Sequence, residues 1–199
     1  MTIVDVIFHA QSGDVACLER SVSALGSLEV PASCIVAASG CVRSKLDIVE
    51  AMLDEHEIDW VILHDRKPVP SNEMIQAALN QSGRGKLFAV IDGGYEIDGP
   101  WFGKVQQIFQ KDAMAWMVGT ETGWKPNTMP PIALKKRVWP NGPLIAFTRT
   151  ALTRLGGTVA KADEPFAKTF SDLAEKNGGR RWIVPSIRFN KVNRAPHPA

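Results

Sequence analysis

The residues best placed to do chemistry lie in the stretch Leu87-Phe88-Ala89-Val90-Ile91-Asp92-Gly93-Gly94-Tyr95-Glu96-Ile97-Asp98, where an apolar run stops at a carboxylate, a glycine pair and further acids. A carboxylate oxygen released at the end of a buried run is a hard ligand. It suits Mg²⁺ or Mn²⁺ held against a phosphate-bearing substrate, because Mg²⁺ commonly takes only one or two protein carboxylates. Gly93 and Gly94 would let a ligand approach the backbone with no Cβ in the way. The structural alternative is that Asp92 opens a turn while Glu96 and Asp98 are solvated.

What positions Asp92 is the run before it. Leu87 to Ile91 is bounded by Gln81-Ser82-Gly83-Arg84-Gly85 and Gly93-Gly94, and reads as a strand buried on both faces of a parallel sheet. Asp92 then stands at the carboxyl end, the edge where ligands bind in open α/β sheets. Other apolar runs fall at Ile3 to Phe8, Cys34 to Ala38, Trp60 to Leu63, Ala113 to Val118, Leu144 to Phe147 and Trp182 to Val184. Helical stripes separate the early ones: Val15, Leu18, Val22 and Leu25; Leu46, Val49, Met52 and Leu53; Met74, Ile75, Ala78 and Leu79. Alternating strand and helix predicts a mostly parallel sheet with right-handed crossovers. Asp14, Ser44 and Ser71 are candidate N-caps, and Pro100 suits the first turn of a fourth helix burying Trp101, Val105, Ile108 and Phe109.

Between Gly119 and Pro143 the prolines, glycines and Trp124 and Trp139 exclude a long helix and predict an ordered functional loop. Leu144 to Phe147 then reads as a strand. Arg149 to Leu155 and Pro165 to Asn177 read as helices closed by Gly156-Gly157 and Gly178-Gly179.

Composition narrows the function classes. A net charge of +2 over 199 residues argues against nucleic acid as a partner. Cys17, Cys34 and Cys41 form no CxxC pair and read as reduced thiols of a cytoplasmic protein. Met1-Thr2-Ile3-Val4-Asp5 has no signal-peptide character, and no apolar run reaches membrane-spanning length. The expected organisation is a single domain over 1–187 followed by a basic tail, 188–199.

Taken in order, these segments resemble the family-2-like glycosyltransferases of the GT-A fold, a Rossmann-related three-layer α/β sandwich. Phe8-His9-Ala10-Gln11-Ser12-Gly13-Asp14 is similar to the family's first nucleotide-binding loop, and Ile35 to Gly40, with Ser39, to its second strand and turn. Ser71-Asn72 opens the helix before the metal strand. Asp92-Gly93-Gly94 falls where the family carries DxD, with Gly94 in place of the second carboxylate. Gly142 to Arg149 resembles the acceptor-side strand, and Asp163-Glu164 the acidic pair that supplies the base.

The resemblance implies a nucleotide-sugar half over about 1–98 and an acceptor half over about 99–187. It implies inverting transfer from a nucleotide-diphosphate sugar, by analogy a UDP-sugar, to a hydroxyl on a glycan, lipid-linked or small-molecule acceptor. Donor contacts fall to Ala10, Gln11, Ser12, Ser39, Asn72, Asp92, Gly93 and Gly94. Mn²⁺ or Mg²⁺ would sit on Asp92, with Glu96 or the late His197 completing the shell. Asp163 is the first choice of general base and Glu164 the second, since a carboxylate at a helix entrance can point into a cleft; Asp163 could instead cap the helix. Trp124 and Trp139, with Gly142, would meet the acceptor by ring stacking, or pack in the core. Lys135-Lys136-Arg137 could bind phosphate or be a solvated charge run. The basic tail leaves peripheral contact with an anionic membrane open. The competing function is an inactive GT-A-like scaffold, and behind it a nucleotidyltransferase, for which the first loop lacks a basic phosphate grip.

Overall fold

The computed structural model describes residues 4–11, 15–28, 32–83, 85–93, 95, 99–120, 130–135, 139–140, 142–159 and 164–184. Strands β1 (Val4–Gln11), β2 (Ala32–Ser39), β3 (Asp59–Asp65) and β4 (Leu87–Asp92) alternate with helices α1 (Val15–Gly26), α2 (Asp47–Glu55) and α3 (Ser71–Gln81). Helix α4 (Gly99–Lys111) leads into β5 (Ala115–Gly119), β6 (Ile132–Ala133) and β7 (Leu144–Thr148). Helices α5 (Arg149–Arg154) and α6 (Phe166–Lys176) and strand β8 (Arg180–Ile183) complete the order. All the strands join one eight-stranded sheet, β3-β2-β1-β4-β7-β5-β8-β6. β1 to β4 are mutually parallel, and β7 runs antiparallel between β4 and β5.

Period-2 alternation divides the core into two layers. Val4, Val6, Phe8 and Ala10 of β1 pack with Leu18, Val22, Val49 and Trp101 from α1, α2 and α4. Ile7 of β1, with Phe88 and Val90 of β4, packs with Ile75 and Leu79 of α3, Leu152 of α5 and Phe170 of α6. The result is the expected three-layer α/β sandwich. Phe147 of β7 seats α6, its ring centroid 4.5 Å from that of Phe170 and 5.8 Å from that of Phe166.

Local details depart from the sequence reading. Ser44 lies inside a 3-10 turn, Arg43–Lys45, and α2 begins after Leu46 with no side-chain cap. Ser71 is the first residue of α3 rather than its cap, and its hydroxyl accepts from Gln11 Nε2 at 3.5 Å. Asp14 lies outside the described residues. Strand β6 arises within the proline-rich segment and pairs with β8; both its residues are exposed, so no apolar pattern announced it.

At the sheet edge opposite the carboxyl ends of β1 to β4, Asp5 is buried and accepts from Ser33 Oγ at 2.7 Å, Gly85 N at 3.0 Å and Arg149 Nη2 at 3.1 Å. Arg149 Nε donates to the Gly85 carbonyl at 2.6 Å, and its guanidinium lies 4.7 Å from the Phe88 ring centroid. This network ties β1, β2, the entry to β4 and α5 together.

Candidate active site

The burial pattern of β4 is an unbroken buried run that ends on exposed Asp92. The turn after it is held on both sides: the Asp92 amide donates to the Pro143 carbonyl at 2.9 Å, and the Gly93 amide to the His9 carbonyl at 2.6 Å. A cavity of about 460 Å³ opens beside Asp92. Val90 and Ile145 come to it from the sheet, Ser71 and Ile75 from α3, and Phe166 and Ala167 from α6. Trp139, Pro140, Gly142 and Pro143 close its rim.

The rim is shaped by close packing. A Cβ on Gly142 would collide with the hydroxyl and backbone of Thr120, and one on Gly119 would collide with Pro140. The Gly142 amide donates to the Thr120 carbonyl at 2.9 Å. Trp139 is exposed, and Lys168 Nζ lies 5.9 Å from its ring centroid. Lys168 also pairs with Glu164 at 3.1 Å and Asp172 at 3.2 Å. Hydrogen bonds to Glu164 and then Asp172 raise its pKa above the ordinary lysine value, which keeps the ammonium charged.

The remaining sequence candidates take several positions. Gln11 reaches α3 through Ser71, and buried Asn72 donates from Nδ2 to the Glu164 carbonyl at 3.4 Å, linking the start of α3 to the entrance of α6. The Glu164 carboxylate meets Lys168 and accepts from Thr169 Oγ1 at 3.4 Å. Buried Ser39 donates to the Val69 carbonyl at 3.4 Å. Ala10 is fully buried in the layer beneath α1 and α4, on the other face of the sheet from the cavity. Gly93 follows Asp92 in the turn. Ser12, Gly94, Glu96, Trp124, Asp163 and His197 lie outside the described residues, as do Lys136 and Arg137.

Lys168 and His9 were not among the candidates. Lys168 reads in sequence as one more charge on a helix face. His9 follows an apolar run with no ligand spacing to mark it, yet the register sets it beside Asp92. The cysteines are free and buried, and burial pushes the Cys34 thiol far above its ordinary range and raises that of Cys41. Burial of this kind favours the neutral thiol over the reactive thiolate.

Among the described residues no group of three or more His, Cys, Asp or Glu side chains could hold a metal ion. Asp92 nevertheless fits a phosphate-linked Mg²⁺ or Mn²⁺, since it offers one hard oxygen at a strand end next to a cavity.

No protein-family profile and no curated relative matches the sequence. Solved structures do match in fold. The mannosyltransferase PcManGT from Pyrobaculum calidifontis, in complex with GDP-Man and Mn²⁺, superposes with a TM-score of 0.72 at 17% identity, over 92% of this chain and 54% of its own. GalNAc-T7 with UDP, GalNAc and Mn²⁺ gives 0.72 at 11% identity, over 95% of this chain and 44% of its own. The 4-diphosphocytidyl-2C-methyl-D-erythritol synthase from Anaerococcus prevotii gives 0.62 at 11% identity, over 94% of this chain and 90% of its own. The chain therefore has a GT-A-like fold, and it spans about half the length of the two glycosyltransferases.

Proposed function

We propose that the chain is a glycosyltransferase that moves a sugar from a nucleotide-diphosphate sugar, by analogy a UDP-sugar, to an acceptor hydroxyl. The observation that carries this reading is a single cavity bordered by the terminal carboxylate of β4 and by the entrance of α6. Such a cavity can hold a donor and an acceptor together, which makes a bimolecular step nearly unimolecular. Two neighbours whose fold the chain shares hold a nucleotide or nucleotide sugar with Mn²⁺. Fold alone leaves function to the site.

Asp92 would hold Mn²⁺ or Mg²⁺, with Glu96 and His197 as further candidate ligands. When bound, the ion would neutralise charge on the departing diphosphate as a Lewis acid. Gly93 and Gly94 leave the backbone open to the phosphates. Gln11, Ser12, Ser39 and Asn72 are the proposed donor contacts, with Ala10 shaping the loop base. Asp163 is the proposed general base and Glu164 the second candidate, because Lys168 already engages the Glu164 carboxylate. Direct attack by the activated hydroxyl inverts the anomeric centre. Trp139 supplies an exposed aromatic face for the acceptor, joined by Trp124 and Gly142. The tail 188–199 remains the candidate for peripheral contact with an anionic membrane.

An inactive scaffold is favoured by one fact: Asp92 is the only carboxylate among the described residues that line the cavity. Calorimetry with UDP and GDP sugars, with and without Mn²⁺, separates the two readings. The enzyme is expected to bind one of them in a Mn²⁺-dependent manner and to lose at least about tenfold in affinity on Asp92→Ala, the scale seen when metal-site groups are removed. Absence of binding to every nucleotide sugar favours the scaffold.

A further inference from the structure

The sheet ends on β3, which among the described residues pairs with β2 alone. Its register with Ser33 to Ser39 is unbroken, so alternate N–H and C=O groups point outward along the whole strand. Edges of this length are usually blunted by lysine, proline or a bulge. Asp59-Trp60-Val61-Ile62-Leu63-His64-Asp65 has none of these. Trp60, Ile62 and Leu63 pack partly on the core, yet no residue of the strand is buried, and Val61 is 43% exposed. A second cavity, of about 370 Å³, opens beside this edge. Asp59 and Val61 of β3, Ser33 and Ile35 of β2, and Gln81 and Ser82 at the end of α3 line it. It lies toward the amino ends of β2 and β3, whereas Asp92 closes the carboxyl end of β4.

We infer that the β3 edge docks an extended segment of a partner protein, which adds a strand to the sheet and sets a cationic side chain opposite Asp59 and an apolar one opposite Val61. Asp59 and Val61 share a face because strand side chains alternate, so the two complementary residues stand two positions apart in the partner. Main-chain bonds supply the affinity, and the alternate side chains received by the cavity supply the specificity. Charge selects the occupant. Asp59 is the single charged residue among the described lining of the cavity, and exposed Glu57 precedes it by two positions. Arg66 and Lys67 lie beyond Asp65, at the other end of the strand. The cavity end of the edge therefore attracts a cation. A second copy of this chain is the poorer occupant: twofold antiparallel pairing centred on Ile62 would set Asp59 of each copy against Asp65 of the other, and like charges directly opposite are destabilising. The inference is independent of the sugar-transfer reading.

The test uses the full chain and a terminally blocked peptide, Thr-Val-Thr-Lys-Thr-Val-Thr, whose symmetric pattern fits either strand direction, with a glutamate-for-lysine peptide as its counterpart. We expect the basic peptide to bind at least about tenfold more tightly than the acidic one, less so as salt rises, and to protect β3 amides from hydrogen exchange. N-methylating alternate residues of the basic peptide should abolish binding in one phase and spare it in the other, because only one edge of a strand faces β3. Asp59→Lys should reverse the preference between the two peptides, and Val61→Lys should weaken both. Should either variant fail to fold, the peptide comparison on the wild type still decides. Equal binding of the two peptides, no binding of the basic one at millimolar concentration, or protection that misses β3 overturns the inference. Concentration-dependent self-association that Val61→Lys abolishes also overturns it, by giving the edge to a second copy.

Discussion

Gly142 shows how a single absent side chain shapes the site. Its Cα packs so closely on Thr120 that any Cβ must displace that residue's backbone as well as its hydroxyl. Gly142→Ala should therefore cost about 1–3 kcal/mol, the usual range for overpacking a tight site, measured by urea unfolding. It should also shift the rim that carries Trp139. Asp5 makes the complementary case at the opposite edge. Removing its carboxylate leaves Ser33 and the Gly85 amide without their acceptor, and Arg149 with only the Gly85 and Ser82 carbonyls. Because Arg149 is 37% exposed, solvent compensates part of that loss. We expect Asp5→Ala to cost about 2–3 kcal/mol, the order of a buried polar group left unsatisfied, with the cavity unchanged.

At the level of elements, α6 is both a wall of the cavity and a helix held by aromatic contacts. Phe170 is fully buried against Phe147, so Phe170→Ala should lose about 3–5 kcal/mol and loosen the wall that Phe166 and Ala167 supply. Lys168, on the same helix, joins Glu164, Asp172 and Trp139. Its folded pKa is raised above the reference value of 10.5. The stability it contributes is therefore fully present below the unfolded pKa and lost as pH rises through the folded one. The difference in melting temperature between wild type and Lys168→Met should stay constant through neutral pH. It should close only in strongly alkaline buffer, above the ordinary lysine range, and a difference that closed below that range would contradict the pairing.

Across the whole molecule, the two proposed halves share one sheet. Strand β7 from the later half lies between β4 and β5, and both core layers draw residues from early and late segments. Neither half has a core of its own, so heating should give one transition, with tryptophan fluorescence and far-ultraviolet circular dichroism melting together. Separate melting of the halves would contradict that. No described helix is long and apolar enough to cross a membrane.

Elements with a strong local period were readable from residue order alone. The β4 run, the three early crossover helices and α6 announce themselves because burying one face demands a repeating apolar pattern. For the same reason Asp92 could be placed at a strand end, since a charge closing an apolar run has few other places to be. Partners across the sheet are another matter. The antiparallel direction of β7, the short exposed β6, the pairing of Lys168 with Glu164 and the seat of His9 beside Asp92 leave no periodic trace. Those relations join residues far apart in the chain, and their energies come from contacts that exist only once the strands have taken their order. Chain order thus specified which segments could form the site, and packing chose which side chains meet in it.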